Sequence, residues 1–292
     1  MATKKNQTAV AEQKPQALVP VDDVIDFSAD LGAGFEETSK DSFAIPFLRV
    51  LQKGSPQVDE EDAMYIPGAK PGMFLNSVSG EVYDGKAKID EAGNVAGGGV
   101  LLIVAAYQER FVHWGPRGGD GGGFKGEMNK GQVEQLRAEG AVVEYEGKLL
   151  FPLADGELNP KKCERLQDTR NWFCILIGPD DGMGEPVLLS LSSTQIKKSK
   201  NLMTLLNKRR LPGPNGQLVR PPTFASIVRM TTIPEQNDEG TWYGVKFHLE
   251  GTVKSADLYQ QAKEFHAGVS GGAIKGAYAE EAPAGAVPPG QF

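Results

Sequence analysis

VLLIVA, residues 100–105, is an uninterrupted apolar run, and YQERFVHW, residues 107–114, carries it onward with aromatic and β-branched residues. A run this short, apolar throughout and rich in Val, Ile and Leu, reads as a strand buried on both faces, at the centre of a sheet. Its neighbours in the sequence have the same character. Trp172–Ile177 (WFCILI) and Val187–Leu191 are strands on either side of the turn GPDDGMGEP. Phe224–Thr232 and Trp242–Leu249 are strand-like too. In the second, Tyr243, Val245, Phe247 and Leu249 point one way, and Trp242, Lys246 and His248 the other. Val142–Phe151 reads as a hairpin turning at Glu146-Gly147, and Tyr65–Tyr83 as strands joined by tight turns. Phe43–Leu51, broken by Pro46, is a short extended lead-in.

Helices are fewer. Gln132–Glu139 is a short one. Ser192, Ser193 and Thr194 supply an N-cap for a second, with Ile196, Leu202, Met203 and Leu206 on one face and Lys197, Lys200 and Lys208 on the other. Ala256–His266 closes the domain with Leu258, Ala262 and Phe265 on one face. The expected class is mainly β with a few helices (α+β), with an OB-like or related β-barrel core.

The ends differ in composition. Residues 1–40 run from a polar, lysine-containing stretch into an acidic one, with a weak helical signal at Val21–Phe27. Such a segment carries too little apolar surface to offset its ordering entropy, so it is expected to be disordered. The Pro/Gly-rich stretch 268–292 is expected to be a second disordered tail, which leaves 41–267 as one β-rich domain. No run of about 18 apolar residues crosses a membrane. Two cysteines, Cys163 and Cys174, are too few for a disulfide framework, and the start of the chain lacks a secretory pattern; both point to a reducing cytoplasm.

The formal net charge is −7. Between Glu185 and Glu235, however, there is no acid at all. Lys197, Lys198, Lys200, Lys208, Arg209, Arg210, Arg220 and Arg229 all fall inside. A solvated basic face, balanced by acids elsewhere in three dimensions, would look like this. So would a site from which carboxylates are kept away because they repel an anionic ligand. Lys197 and Lys198 open a helix, where the macrodipole disfavours cations, and an anion bound there would account for the placement.

Catalytic and metal signatures are missing from the pattern. There is no G-x-S-x-G, and the three histidines, His113, His248 and His266, are far apart in sequence. The glycine-rich stretch Gly115–Gly126 lacks the lysine-Ser/Thr ending of a phosphate loop and reads as a flexible loop. Cys163 and Cys174 form no C-x-x-C pair, so neither a metal site nor a cofactor is expected, nor an enzyme.

Proteins that hold single strands combine cationic grooves with aromatic platforms. Both ingredients meet at Tyr107, Arg110, Phe111, Trp114 and Arg117, at Arg170 beside Trp172, and at Trp242, Lys246 and His248. Aromatics are core residues more often than platforms. Core burial is expected for Phe111 and Trp172, and exposure for Trp114 at its strand end.

The runs YIPGAKPGMFLNSVSGEVYDG, VLLIVAAYQERFVHW and SLSSTQIKKSK resemble, over about Phe43–Phe265, a family of tailed-bacteriophage proteins, mostly uncharacterised, some labelled single-stranded-DNA-binding. Some relatives carry further cysteines ahead of the strand corresponding to Trp172–Ile177. Here only Cys163 stands there, so the resemblance brings no zinc site to this chain. The tail with Glu280, Glu281 and Phe292 is loosely similar to tails by which single-stranded-DNA-binding proteins dock replication partners.

The resulting expectation is a bacteriophage single-stranded-DNA-binding protein acting in replication and recombination in the cytoplasm of the infected host. Lys197 to Arg210, Arg220 and Arg229 would track phosphates, and Trp114, Tyr107 and Trp242 would stack bases, flanked by Arg110, Arg117 and Lys246. The tail would reach replication proteins, no membrane is involved, and homo-oligomerisation is left open. The alternative is a phage structural or assembly protein that binds no nucleic acid, and a small enzyme of nucleotide or DNA metabolism ranks last.

Overall fold

In a computed structural model, which describes residues 45–116, 122–178, 184–238, 240–276 and 278, VLLIVAAYQERFVHW is a single strand of 15 residues. In chain order the strands and helices are β1 (Leu48–Val50), β2 (Phe74–Asn76), β3 (Val82–Tyr83), β4 (Ala87–Ile89), β5 (Val95–Gly98), β6 (Val100–Trp114) and β7 (Phe124–Met128). Then come α1 (Lys130–Ala138), β8 (Val143–Tyr145), β9 (Lys148–Leu150), β10 (Arg165–Ile177), β11 (Gly184–Ser192) and α2 (Ile196–Lys208). Last are β12 (Leu211–Pro212), β13 (Leu218–Val219), β14 (Ser226–Asn237), β15 (Gly240–Thr252) and α3 (Ala256–Ser270).

Strand β6 sits mid-sheet, as its apolar run predicts. The eight-stranded sheet has the order β15-β14-β6-β10-β9-β8, with β11 also on β10 and β7 also on β6. Along one edge β6 pairs with β14 over Val100–Ile103 and with β7 over Phe111–Trp114; along the other it pairs with β10 throughout. The register slips between Phe173 and Cys174, where Phe173 faces Ala106 and Cys174 faces Val104. Such a bulge bends and twists the pair.

One face of the sheet lines the main core: Val100, Leu102, Val104, Trp172, Cys174, Leu189, Val228, Met230, Val245 and Phe247, met by Leu48, Phe74, Leu202 and Leu206. The other face carries Ile103, Phe173, Ile175 and Leu188 beneath Ala262, Phe265 and Val269 of α3. The hydrogen-bonded strands do not close into a barrel. Instead the edges are bridged by other means. Phe47 pairs with Leu188 of β11, and the Gln52 side-chain amide accepts from Tyr243 N at 2.8 Å and donates to Tyr243 O at 2.9 Å. Gln195 accepts from Val245 N, and Arg209 donates to Gly251 O. These side chains occupy backbone groups that an unpaired edge strand would otherwise present to another chain.

Several local expectations change. The second helix has no serine cap: a 3-10 turn, Ser193–Gln195, leads into it without a side-chain cap bond. Ser192 is buried and its hydroxyl accepts from Gln167 Nε2 at 2.9 Å, so its oxygen serves the sheet rather than the helix start. The glycine-rich stretch is not wholly irregular, because β7 begins at Phe124, while 117–121 lie outside the described residues. The closing helix runs through Ser270, beyond residue 267 where the composition changes. Ile274 and Tyr278 pack against the core after it. Residues 1–44 and 279–292 lie outside the described part, and with them the whole expected N-terminal tail, Val21–Phe27 and the last residues of the expected C-terminal tail, whose residues 268–276 and 278 are described. Among the described residues no helix is long and apolar enough to cross a membrane.

Candidate nucleic-acid interface

Helix α2 divides its circumference cleanly. Ser199, Leu202 and Leu206 are buried, and Ser199 Oγ accepts from Trp172 Nε1 at 2.9 Å. A second stripe, Gln195, Lys198 and Arg209, turns to strands β14 and β15. Lys198 forms an ion pair with Glu235, while Arg209 is buried and donates to Gly251 O and Thr252 Oγ1. The third stripe faces solvent. Lys197, Lys200 and Lys208 are exposed and form no ion pair among the described residues, although Lys200 lies near enough to Glu109 and Asp168 to act on both carboxyls. Met203 and Leu205 flank them, each more than a third exposed.

Two further cations gather at the helix's end. Arg210 Nη1 donates to Asn207 O at 2.7 Å, and Arg220 Nη1 to Asn207 Oδ1 at 2.8 Å. Both side chains are exposed, and neither meets an acid among the described residues. Asn207 thus gathers two guanidinium groups next to Lys208. Cations at a helix C-terminus are favoured by its dipole, so part of this placement is local stabilisation.

The other expected contacts stand elsewhere. Arg229 is held by the Glu250 carboxylate at 2.9 and 2.8 Å and by Gly98 O at 2.6 Å, and this pairing holds the Glu250 carboxyl below its usual range. Burial lowers the Arg209 pKa. Both arginines tie backbone and strands together rather than facing outward. Tyr107 lies tilted against Trp172 at 4.7 Å between ring centroids, half-buried. Arg110 pairs with Glu127 at 3.7 Å. Trp242 is half-buried and donates to Glu235 at 3.0 Å, and Lys246 is exposed on the same strand. Arg117 lies outside the described residues.

Trp114, expected at an exposed strand end, is 5% exposed. The reason is long-range: Phe124 of β7 and Tyr278 from beyond α3 both pack against it edge-on, at 6.1 and 6.5 Å. Periodicity within residues 107–114 carries no sign of either partner.

Sequence reasoning also missed a charged cluster next to Lys200. Arg170 pairs with both Glu109 and Asp168, 2.7 Å from the latter. Arg170 holds the Glu109 carboxyl below its usual range, whereas burial pushes Asp168 upward despite the same guanidinium. On β6 itself, His113 lies 2.7 Å from Glu164, which also binds Lys125 at 2.6 Å. Cys163 and Cys174 are both buried and reduced, and burial pushes the Cys174 thiol far up, which makes it unreactive. Among the described residues no group of three or more His, Cys, Asp or Glu could hold a metal.

The eight-stranded antiparallel sheet, with helices packed on its two faces, defines a mainly β protein. Over residues 12–275 the sequence matches the family described as Pam3 phage gp34-like protein, and the chain belongs to it. No curated protein matches the sequence, and no solved structure matches the fold.

Proposed function

We propose that this chain is a single-stranded-DNA-binding protein of a bacteriophage, coating single strands during replication and recombination in the host cytoplasm. Its curled sheet would serve as an OB-like platform, and its role is binding rather than catalysis. The observation that carries this reading is the solvent face of α2. Lys197, Lys200 and Lys208, continued by Arg210 and Arg220, form a run of exposed cations that make no ion pair among the described residues of a chain with net charge −7. Keeping acids out of the stretch that carries these cations is what a phosphate-tracking face requires. Half-buried Trp242 and exposed Lys246 lie on β15, the strand against which α2 packs.

A second reading has its own support. Met203, Leu205 and Leu249 expose apolar surface on α2 and β15, as a subunit contact of a phage assembly protein would.

Titration of fluorescent oligo(dT) at several salt concentrations separates the two. Binding by the first reading is salt-dependent and tighter for single than for double strands. Replacing Lys197, Lys200 and Lys208 with alanine lowers the slope of log K against log salt by about 2. Absence of binding even at low salt rejects it in favour of assembly.

A further inference from the structure

Tyr278 is the most buried aromatic contributed by the end of the chain, 3% exposed, and it sits in a box of other rings. It stacks on Phe124 at 5.8 Å with planes 14° apart, and meets Phe47 at 5.0 Å and Trp114 at 6.5 Å edge-on. At the polar end of the box its hydroxyl donates to Asn171 Oδ1 at 2.5 Å and lies 2.9 Å from Ser190 Oγ. The walls come from β6, β7, β10 and β11 and from the lead-in to β1, so the box belongs to the sheet. Its occupant does not. Tyr278 arrives on a short strap that leaves α3 where Gly271 N bonds to Ala267 O and Ala273 N to Gly268 O. Glycines let the strap lie close: a Cβ on Gly268 would come 2.5 Å from Ile274, and one on Gly276 2.9 Å from Leu188.

The fit is incomplete in one respect. Asn171 is 1% exposed, and its Nδ2 is buried without a hydrogen-bond partner among the described residues; the same holds for Trp114 Nε1 in the wall of the box. Buried donors are nearly always paired. A carboxamide presents a donor and an acceptor side by side, and a phenol hydroxyl answers only one of them. A nucleobase edge answers both, while its flat face suits the stacking place against Phe124. A tyrosine from a second copy would leave the same donor unpaired as this chain's own.

We infer that the box formed by Phe47, Trp114, Phe124, Asn171 and Ser190 is a nucleobase-binding site, and that Tyr278 is its resident occupant, displaced when a base enters. The inference rests on the single-strand reading above. It adds a base-stacking site on the sheet, at the mouth of the glycine-rich stretch, and couples strand binding to release of the C-terminal segment. The Asn171 carboxamide, the Ser190 hydroxyl and the Trp114 N–H are neutral, as stacking and edge recognition require.

The test uses the full chain, oligo(dT) and limited trypsin digestion. Lys275 lies exposed in the strap and reports its release. Saturating oligo(dT) is expected to speed cleavage after Lys275 several-fold, and Tyr278→Ala to tighten oligo(dT) binding by about tenfold by removing the competitor. Tyr278→Phe, which keeps the ring and loses only the hydroxyl, shifts both readouts in the same direction by less, and its circular dichroism checks the fold. If oligo(dT) binds but cleavage after Lys275 does not rise and both variants keep wild-type affinity, the box is structural and the inference is overturned while the single-strand reading stands. If no variant binds oligo(dT) at low salt, both fall together.

Discussion

Glu235, the residue that ends the acid-free stretch, is the ion-pair partner of Lys198 inside it. The same carboxylate accepts from Trp242 Nε1 at 3.0 Å, and both charged side chains are only about a fifth exposed, at 21% and 19%. A charge counted as available along the sequence is therefore neutralised by the fold, while its neighbour Lys197 is not.

The pair's contribution to stability follows from its burial. Glu235→Ala leaves Lys198 and the Trp242 N–H without their acceptor, and is expected to cost about 1–3 kcal/mol. Lys197→Ala, at an exposed position, is expected to change stability by less than about 0.5 kcal/mol. Urea unfolding midpoints measure both. On the single-strand reading the order inverts in DNA titrations, where Lys197→Ala is expected to lower the salt slope more than Lys198→Ala.

A pH dependence follows from the Arg229–Glu250 pair. The guanidinium hydrogen bonds hold the Glu250 pKa below the ordinary carboxylate value. A carboxyl depressed in the folded state adds stability above its unfolded pKa, near 4.3, and that stability is lost as pH falls through the folded value. Arg229→Met is expected to remove this component. Its destabilisation relative to wild type is therefore largest near neutrality and shrinks in acid, which unfolding midpoints from pH 7 to pH 3 would reveal.

Asp168 gives the opposite sign. Burial raises its pKa although Arg170 lies beside it, and Glu109 adds repulsion. A carboxyl raised in the folded state favours folding when protonated, and that contribution is lost as pH rises through its folded pKa. Asp168→Asn, which mimics the protonated form, is thus expected to gain stability over wild type as pH rises from acid to neutral. A constant difference across that range would show that Arg170 offsets the burial fully.

The strands were legible because their signals are local. VLLIVA, WFCILI and the alternation from Trp242 to Leu249 are each decided by side chains within a few residues of one another, and the resulting sheet places β6 centrally. The cationic stripe of α2 was legible for the same reason, through its 100° periodicity. What composition could not reveal was which cations are spoken for. Arg209 reaches Gly251, Arg229 reaches Glu250, and Trp114 is covered by Tyr278, over 42, 21 and more than a hundred residues respectively. The aromatic box was hidden most completely, since its occupant lies in a Gly/Ala-rich stretch whose composition reads as a tail.

Close backbone approach explains why the β2–β3 lobe depends on glycine. A Cβ on Gly85 would come 2.0 Å from Gly72 O and 2.5 Å from Thr232 Oγ1, and Gly85 O already accepts from Thr232 N at 2.7 Å. Gly85→Ala must push backbone apart there, and is expected to cost about 1–3 kcal/mol. Gly54 has nothing within 4 Å of its would-be Cβ, so Gly54→Ala is expected to be neutral or slightly stabilising. Thermal unfolding of the two variants side by side is the check.

The hairpin of β8 and β9 offers a stabilising change. Tyr145 faces Lys148, and the two residues between them, Glu146 and Gly147, have φ of 49° and 72°. Positive φ at both central positions is the turn whose twist matches that of the strands, and it favours Asn-Gly. Glycine meets the demand at the second position, but glutamate at the first keeps its Cβ close to backbone in a left-handed conformation. Glu146 is exposed, so no packing is lost on replacing it. Glu146→Asn is expected to raise stability by about 0.5–1 kcal/mol, and Glu146→Val, whose branched side chain tolerates that conformation worst, to lower it. Oligo(dT) affinity should be unchanged in both, because the turn joins β8 and β9, on strands other than those that hold the cationic stripe. A gain from valine as large as that from asparagine would show that loss of the charge, rather than backbone conformation, governs this turn.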